Sequence, residues 1–173
     1  MPTHAPADVA IRPAATTDAA AIAVIYNHYV LHTLVTFEEE PVSTETMAER
    51  VHDVSKAGLP WIVAELDRHL VGYAYATKWK PRHGYRFSVE TSVYLAHDMG
   101  GRGIGSALYG VLLPELEAAG FRTAQGGIAL PNEASVRLHE KFGFTKVAEF
   151  EEIGIKFGQW TPVGYWQKLF VSP

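Results

Sequence analysis

The chain has 173 residues, enough for one domain with a real core, and its 47% hydrophobic and 20% charged content is that of an ordinary globular protein, not a disordered one. It has no cysteine, which excludes a disulfide scaffold, a thiolate nucleophile and a cysteine-based metal site. A net charge of −4 without a basic run speaks against a nucleic-acid partner, and no apolar stretch approaches the ~18 residues of a membrane span.

Residues 1–7 are rich in Pro and Ala and predict a frayed end. MPTHAPADV lacks a cationic segment followed by an apolar one, so no secretory signal is expected and the default compartment is the cytoplasm. Without a repeat or a low-complexity linker, a single domain over residues 8–171 is expected. Val9 to Arg12 predicts a short edge strand stopped by Pro13. Thr17 is the expected N-cap, with Asp18 in the first turn, of a helix carrying Ile22, Ile25, Tyr26, Tyr29 and Val30 to about Leu31. His28 and His32 stand four apart on it. The spacing suits a metal pair, but no carboxylate or cysteine joins them, and a solvated helix end is the favoured reading. Thr33 to Pro41 is a loop with an exposed-looking Phe37, either a pocket wall or a buried anchor, and with Glu38-Glu39-Glu40 as a solvated charge run. Ser43 or Thr44 caps a second helix with Met47, Val51 and Val54, ending near Gly58. Trp61–Leu66 and Leu70–Thr77 predict a hairpin around Asp67-Arg68-His69, followed by the basic loop Lys78–Gly84.

The central stretch is Arg86 to Ser106. Val89, Thr91, Val93 and Leu95 alternate with Glu90, Ser92 and Tyr94, a strand with two distinct faces. Gly100-Gly101-Arg102-Gly103-Ile104-Gly105 follows, then a helix with Ile104, Leu108, Val111, Leu112 and Leu116 on one face, closing at Ala119-Gly120. Glycines let backbone N–H groups approach a ligand, and a helix N-terminus favours anions, so the turn is a candidate phosphate cradle; the bland alternative is a tight connection. A P-loop needs Gly-Lys-Ser/Thr at the helix start, and a dinucleotide fingerprint needs a third glycine at 106 or 108; neither is present, which leaves a CoA pyrophosphate. Phe121 to Leu130 is the next strand, with Gly126-Gly127 marking a bulge or a close backbone approach. Asn132 caps a short helix stopped by Gly143, with Ser135, His139 and Phe142 on one face. Phe144–Ile155 and Val163–Phe170 are two late strands joined by Lys156-Phe157-Gly158-Gln159-Trp160. The order β-α-α-β-β-β-α-β-α-β-β predicts a mixed α/β sheet layered with helices.

Gly103-Ile104-Gly105 also fits the end of Gln/Arg-x-x-Gly-x-Gly/Ala, the central motif of the GNAT N-acetyltransferases; Gly100 departs from it at the Gln/Arg position, with Arg102 as a nearby charge. Trp79-Lys80-Pro81-Arg82, Val89-Glu90-Thr91-Ser92-Val93-Tyr94, Asn132 with Ser135–Glu140, and Lys156–Trp160 resemble one branch, the phosphinothricin and methionine sulfoximine N-acetyltransferases. The resemblance runs from about Ile11 to Phe170. It implies the GNAT fold, a mostly antiparallel sheet splayed where CoA enters, with acetyl-CoA as co-substrate, no metal, a small amine acceptor and a homodimer sharing its active sites through the 156–158 loop and the late strands.

The resemblance places the catalytic glutamate at Glu90, whose carboxylate can take the proton an amine must lose before attack; the bland alternative is an ion pair with Arg86 on the same strand face. Backbone N–H groups from Ser92 through Val93, Tyr94 and Leu95 can hold the thioester oxygen and the pantetheine arm. Gly101, Arg102, Gly103, Ile104, Gly105 and Ser106 would hold the pyrophosphate, and Asn132 and Ser135 the pantetheine or adenylate side. His139 is a candidate acid for the thiolate, a base in place of Glu90, or a structural residue. Lys80, Arg82, Arg86 and Lys156 are cations for a substrate carboxylate or phosphinate; the block Lys80-Pro81-Arg82 is favoured, with Phe37, Thr91 and Ser92 lining the acceptor pocket. The expected reaction is direct transfer to a small amino acid analogue. The alternatives are another amine, such as a polyamine, an aminoglycoside or a protein N-terminus, and a CoA-binding sensor without turnover.

Overall fold

The computed structural model describes residues 8–170. The expected frayed segment 1–7, and Val171 at the far end of the expected domain, lie outside the described residues. Strands β1 (Ala10–Pro13), β2 (Trp61–Leu66), β3 (His69–Lys78), β4 (Ser88–Leu95), β5 (Thr123–Ala129), β6 (Thr145–Lys156) and β7 (Gln159–Leu169) form one sheet in the order β1-β2-β3-β4-β5-β7-β6. Every pairing is antiparallel except β4 with β5. Helices α1 (Ala19–His32) and α2 (Thr44–Lys56) pack together over β2–β4. Helix α3 (Ile104–Ala118) covers the opposite face, where Val89, Leu108, Tyr109, Leu112 and Ala124 are fully buried, and α4 (Glu133–Lys141) packs against β5. The sheet is the mostly antiparallel α/β arrangement that the sequence predicts, in the expected order.

The parallel pairing of β4 with β5 covers only Ser88–Glu90 against Thr123–Gln125. Beyond Glu90 the strands part, so the sheet is open at its centre. Hydrogen-bond phase decides what faces the opening. Trp79 N–H donates to Ser88 C=O and Ala96 N–H to Val71 C=O, so the bonded positions facing β3 are the even-numbered residues of β4. The backbone groups of Thr91, Val93 and Leu95 therefore turn to the other edge, where β5 has departed. By the same argument, Leu130 N–H on Pro162 C=O and Phe170 N–H on Arg122 C=O leave Gly127 and Ala129 facing the gap from β5. This corrects the expectation for Ser92 and Tyr94, whose backbone groups serve β3; their side chains line the cavities instead.

Several local expectations are also corrected. Thr17 lies inside a 3-10 turn, Thr16–Asp18, and does not cap α1; Asp18 accepts from Ala15 N–H at 2.8 Å and pairs with Arg12. Glu38 is not merely solvated: it pairs with Arg50 of α2 at 2.9 Å. The late hairpin turns on two residues, Phe157 and Gly158, both at positive φ (52° and 71°), so β6 runs one residue further than predicted, to Lys156, and β7 begins four residues earlier, at Gln159. A phenylalanine at the first such position hid the turn.

Candidate active site

Glu90 lies on the α1/α2 face of β4, opposite Thr77 of β3 and beside Gln125 of β5. It lines a cavity of about 340 Å³ with Val35, Thr36, Phe37, Ser92 and Tyr165. Burial raises its carboxyl pKa, and the Lys80 ammonium partly opposes that. Gly127 makes the room: a Cβ there would sit 3.2 Å from both Glu90 Oε1 and the Tyr165 ring. Arg86 makes no ion pair with Glu90. The strand begins at Ser88, and the Arg86 guanidinium lies 4.4 Å from the Phe87 ring and donates to His83 C=O.

His139 approaches the opening from the α3 face. Its Nδ1 is 2.8 Å from Ser135 C=O, which can only accept, so Nδ1 carries the proton. Nε2 then accepts from Tyr109 O–H at 2.9 Å. Thr91 Oγ1 lies 3.3 Å from the Tyr109 hydroxyl and 3.4 Å from Gln125 C=O. Both imidazole nitrogens are thus engaged, and burial lowers the pKa, with the Ser135 carbonyl opposing. Gly126 permits the approach, since a Cβ would come within 2.4 Å of Nε2. The paired glycines of β5 serve opposite faces, Gly126 for His139 and Gly127 for Glu90. Between them runs a narrow slot lined by Thr91, Val93, Gly127, Asn132, Ser135 and His139 among others. Thr91, expected at the acceptor, is buried on the α3 side of this slot.

The glycine turn ends on α3. Gly101 and Gly103 have φ of 76° and 78°, and Gly103 occupies the cap position. The first intrahelical bond is Ala107 N–H to Gly103 C=O, so the N–H groups of Ile104, Gly105 and Ser106 have no partner within the helix. A Cβ on Gly105 would come 3.2 Å from Leu138, which seats α4 against the start of α3. That contact brings Lys141 Nζ to 2.9 Å from Ser106 Oγ. Lys141 is a cation at the turn that the sequence reading missed. Arg102 is exposed there, and the space around Gly100 is open. Asn132 caps α4 by accepting from Ser135 N–H at 3.2 Å.

The remaining acceptor candidates scatter. Lys80 lies over the Trp79 ring and lines a second cavity of about 500 Å³ with Gln125, Phe150, Ile153 and Tyr165; Ile153 and Tyr165 also line the Glu90 cavity. Pro81 and Arg82 are exposed beside Lys80 and line neither cavity. Lys156 is not a free cation. It is fully buried and donates to two backbone carbonyls. Tyr165 was missed, although it touches the space in front of Glu90. The His28 ring stacks at 4.8 Å on His97 and lies 5.2 Å from His32, and no metal-holding cluster occurs among the described residues. No helix there is long and apolar enough to cross a membrane.

A sequence profile described as the acetyltransferase (GNAT) domain matches residues 11–162. The chain belongs to the GNAT acetyltransferase family. This acetyltransferase is 42% identical over 167 residues to the phosphinothricin N-acetyltransferase of Streptomyces viridochromogenes, covering 95% of this chain and 90% of the relative. It is 36% identical over 157 residues to the L-methionine sulfoximine/L-methionine sulfone acetyltransferase of Salmonella typhimurium, covering 91% and 92%. Among solved structures, a GNAT superfamily phosphinothricin acetyltransferase from Sinorhizobium meliloti, in complex with acetyl-CoA, superposes with a TM-score of 0.91 at 35% identity, covering 94% of this chain and 89% of that one.

Proposed function

We propose that this acetyltransferase acetylates the amino group of a small amino acid analogue of the phosphinothricin or methionine sulfoximine kind, by direct transfer from acetyl-CoA, with Glu90 as general base. The observation that carries the reading is the half-buried Glu90 carboxylate facing a cavity beside the β4 edge that β5 leaves beyond Glu90. The resident groups fit acetyl-CoA. The N–H groups of Ile104, Gly105 and Ser106, with Lys141 and Arg102 nearby, suit its phosphates, and the slot edge of β4 and Asn132 suit the pantetheine arm. Acetyl-CoA supplies the acetyl group as a thioester.

Glu90 takes a proton from the acceptor ammonium, which frees the nitrogen lone pair; the N–C bond forms as the C–S bond breaks, and the nitrogen sheds its second proton as the departing thiolate takes one up, leaving the amide and the CoA thiol. Burial raises the Glu90 pKa, which makes it a better proton acceptor near neutrality. Backbone N–H groups of Val93 and Leu95 are the donors for the charge that builds on the carbonyl oxygen. His139 holds the opposite slot wall through Tyr109 and Ser135 and moves no proton in this scheme. Lys80 provides a cation for the acceptor's acidic group, and Phe37, Ser92 and Tyr165 enclose its carbon chain. We also infer a homodimer: the exposed apolar residues Val147, Phe150, Ile153, Ile155, Phe157 and Trp160 all lie on the β6–β7 hairpin, and β6 is a sheet edge.

The test is turnover with purified protein, acetyl-CoA and a panel of methionine sulfoximine, phosphinothricin, a polyamine, an aminoglycoside and a short peptide, read as thiol release. The first two should react. Reaction only with another amine would replace the acceptor class, and acetyl-CoA binding without any turnover would favour a sensor.

A further inference from the structure

We propose that Lys156 is a positioning residue for the acceptor: from β6 it sets the loop that places Phe37 against the Glu90 cavity. The inference rests on the acceptor occupying that cavity. Lys156 is wholly buried and makes no ion pair among the described residues. Its ammonium donates to Thr36 C=O at 2.8 Å and to Tyr29 C=O at 3.2 Å, in the last turn of α1. It also lies 5.0 Å from the Phe157 ring centre. Burying an ammonium on two carbonyls is a costly way to fill space, and a methionine would fill it without the charge. Burial lowers the Lys156 pKa, with Glu39 and Glu38 opposing.

Two residues earlier on the same strand, Gly154 supports the same loop. A Cβ there would fall 2.4 Å from Phe37 Cε1, so the Phe37 ring rests directly on the β6 backbone. Strand β6 therefore grips consecutive loop residues: Gly154 beneath Phe37, and Lys156 on the Thr36 carbonyl. The other side of Thr36 is held by α1, through its hydroxyl 2.8 Å from Tyr26 O–H. Val35, Thr36 and Phe37 are the residues this loop contributes to the wall facing Glu90. Lys156 thus acts on the acceptor through the loop, not by touching it.

The test is steady-state kinetics with methionine sulfoximine as the varied acceptor, first for the unmodified enzyme and then for Lys156→Met, Gly154→Ala and Lys156→Arg. Lys156→Met and Gly154→Ala should each raise the acceptor KM about tenfold or more, while kcat and the acetyl-CoA KM stay within about threefold, because displaced positioning groups cost binding geometry. Lys156→Arg should recover part of the loss. A folded Lys156→Met variant with a lower Tm but an unchanged acceptor KM would overturn the proposal and leave only a structural staple. If Lys156→Met does not fold, an unchanged acceptor KM in Gly154→Ala overturns it. Absence of turnover in the unmodified enzyme would overturn the acceptor assignment itself, and this proposal with it.

Discussion

At the scale of single residues, Glu90 carries a conflict between stability and chemistry. Its folded-state pKa is raised, mainly by burial. Below the ordinary carboxylate value both folded and unfolded states are protonated and the group costs nothing. As pH rises from there through the raised folded value, the unfolded chain ionises first and stability falls; above that window the loss persists. Glu90→Gln should therefore raise Tm at neutral pH and leave it unchanged in acid, as thermal melts at the two pH values would read. The same substitution should lower kcat by about 10²–10⁴ if Glu90 is the base. The pH profile of kcat/KM should fall in acid through the raised Glu90 value, and Lys80→Met should move that limb to higher pH, since the Lys80 charge holds the pKa down. Glu90 was legible in the sequence because it alternates against a buried face. Lys156 was not: in the expected joining loop it read as a free cation for the substrate, and it is the end of α1 and the loop after it, folded over β6, that bury it. Arg86 was misplaced because a 3-10 turn, His83–Tyr85, delays the strand to Ser88.

At the scale of elements, the opening between β4 and β5 is what converts a sheet into a site. The doublet Gly126-Gly127 predicted a close approach, and each glycine admits a different side chain from a different face. Gly126→Ala would drive a methyl into His139, so it should lower stability by roughly 1–3 kcal/mol, measured by denaturant unfolding. It should also weaken acetyl-CoA binding, because His139 lines the slot. The element order could be read from apolar period and from caps such as Ser43 and Asn132, which accept from Thr46 and Ser135 N–H as expected. The phase of backbone hydrogen bonding on β4 could not. It depends on the register with β3, which no local pattern encodes, and it decides that Thr91, Val93 and Leu95 face the slot.

At the scale of the whole molecule, the β6–β7 hairpin links two inferences. Its exposed apolar side chains, Phe157 and Trp160 among them, suit a partner copy, and its buried side holds the acceptor loop through Gly154 and Lys156. Sedimentation should give a dimer, and Trp160→Glu should shift it toward monomer; a monomer at every concentration would remove the homodimer. The most direct test of the account joins residue to reaction: thiol release from acetyl-CoA with methionine sulfoximine and phosphinothricin, for the unmodified enzyme and Glu90→Gln, with acetyl-CoA binding measured in parallel. Both amines should turn over, and Glu90→Gln should lose about 10²-fold or more of that turnover with binding retained. Equal turnover by the two proteins, or none with either amine, would contradict the account.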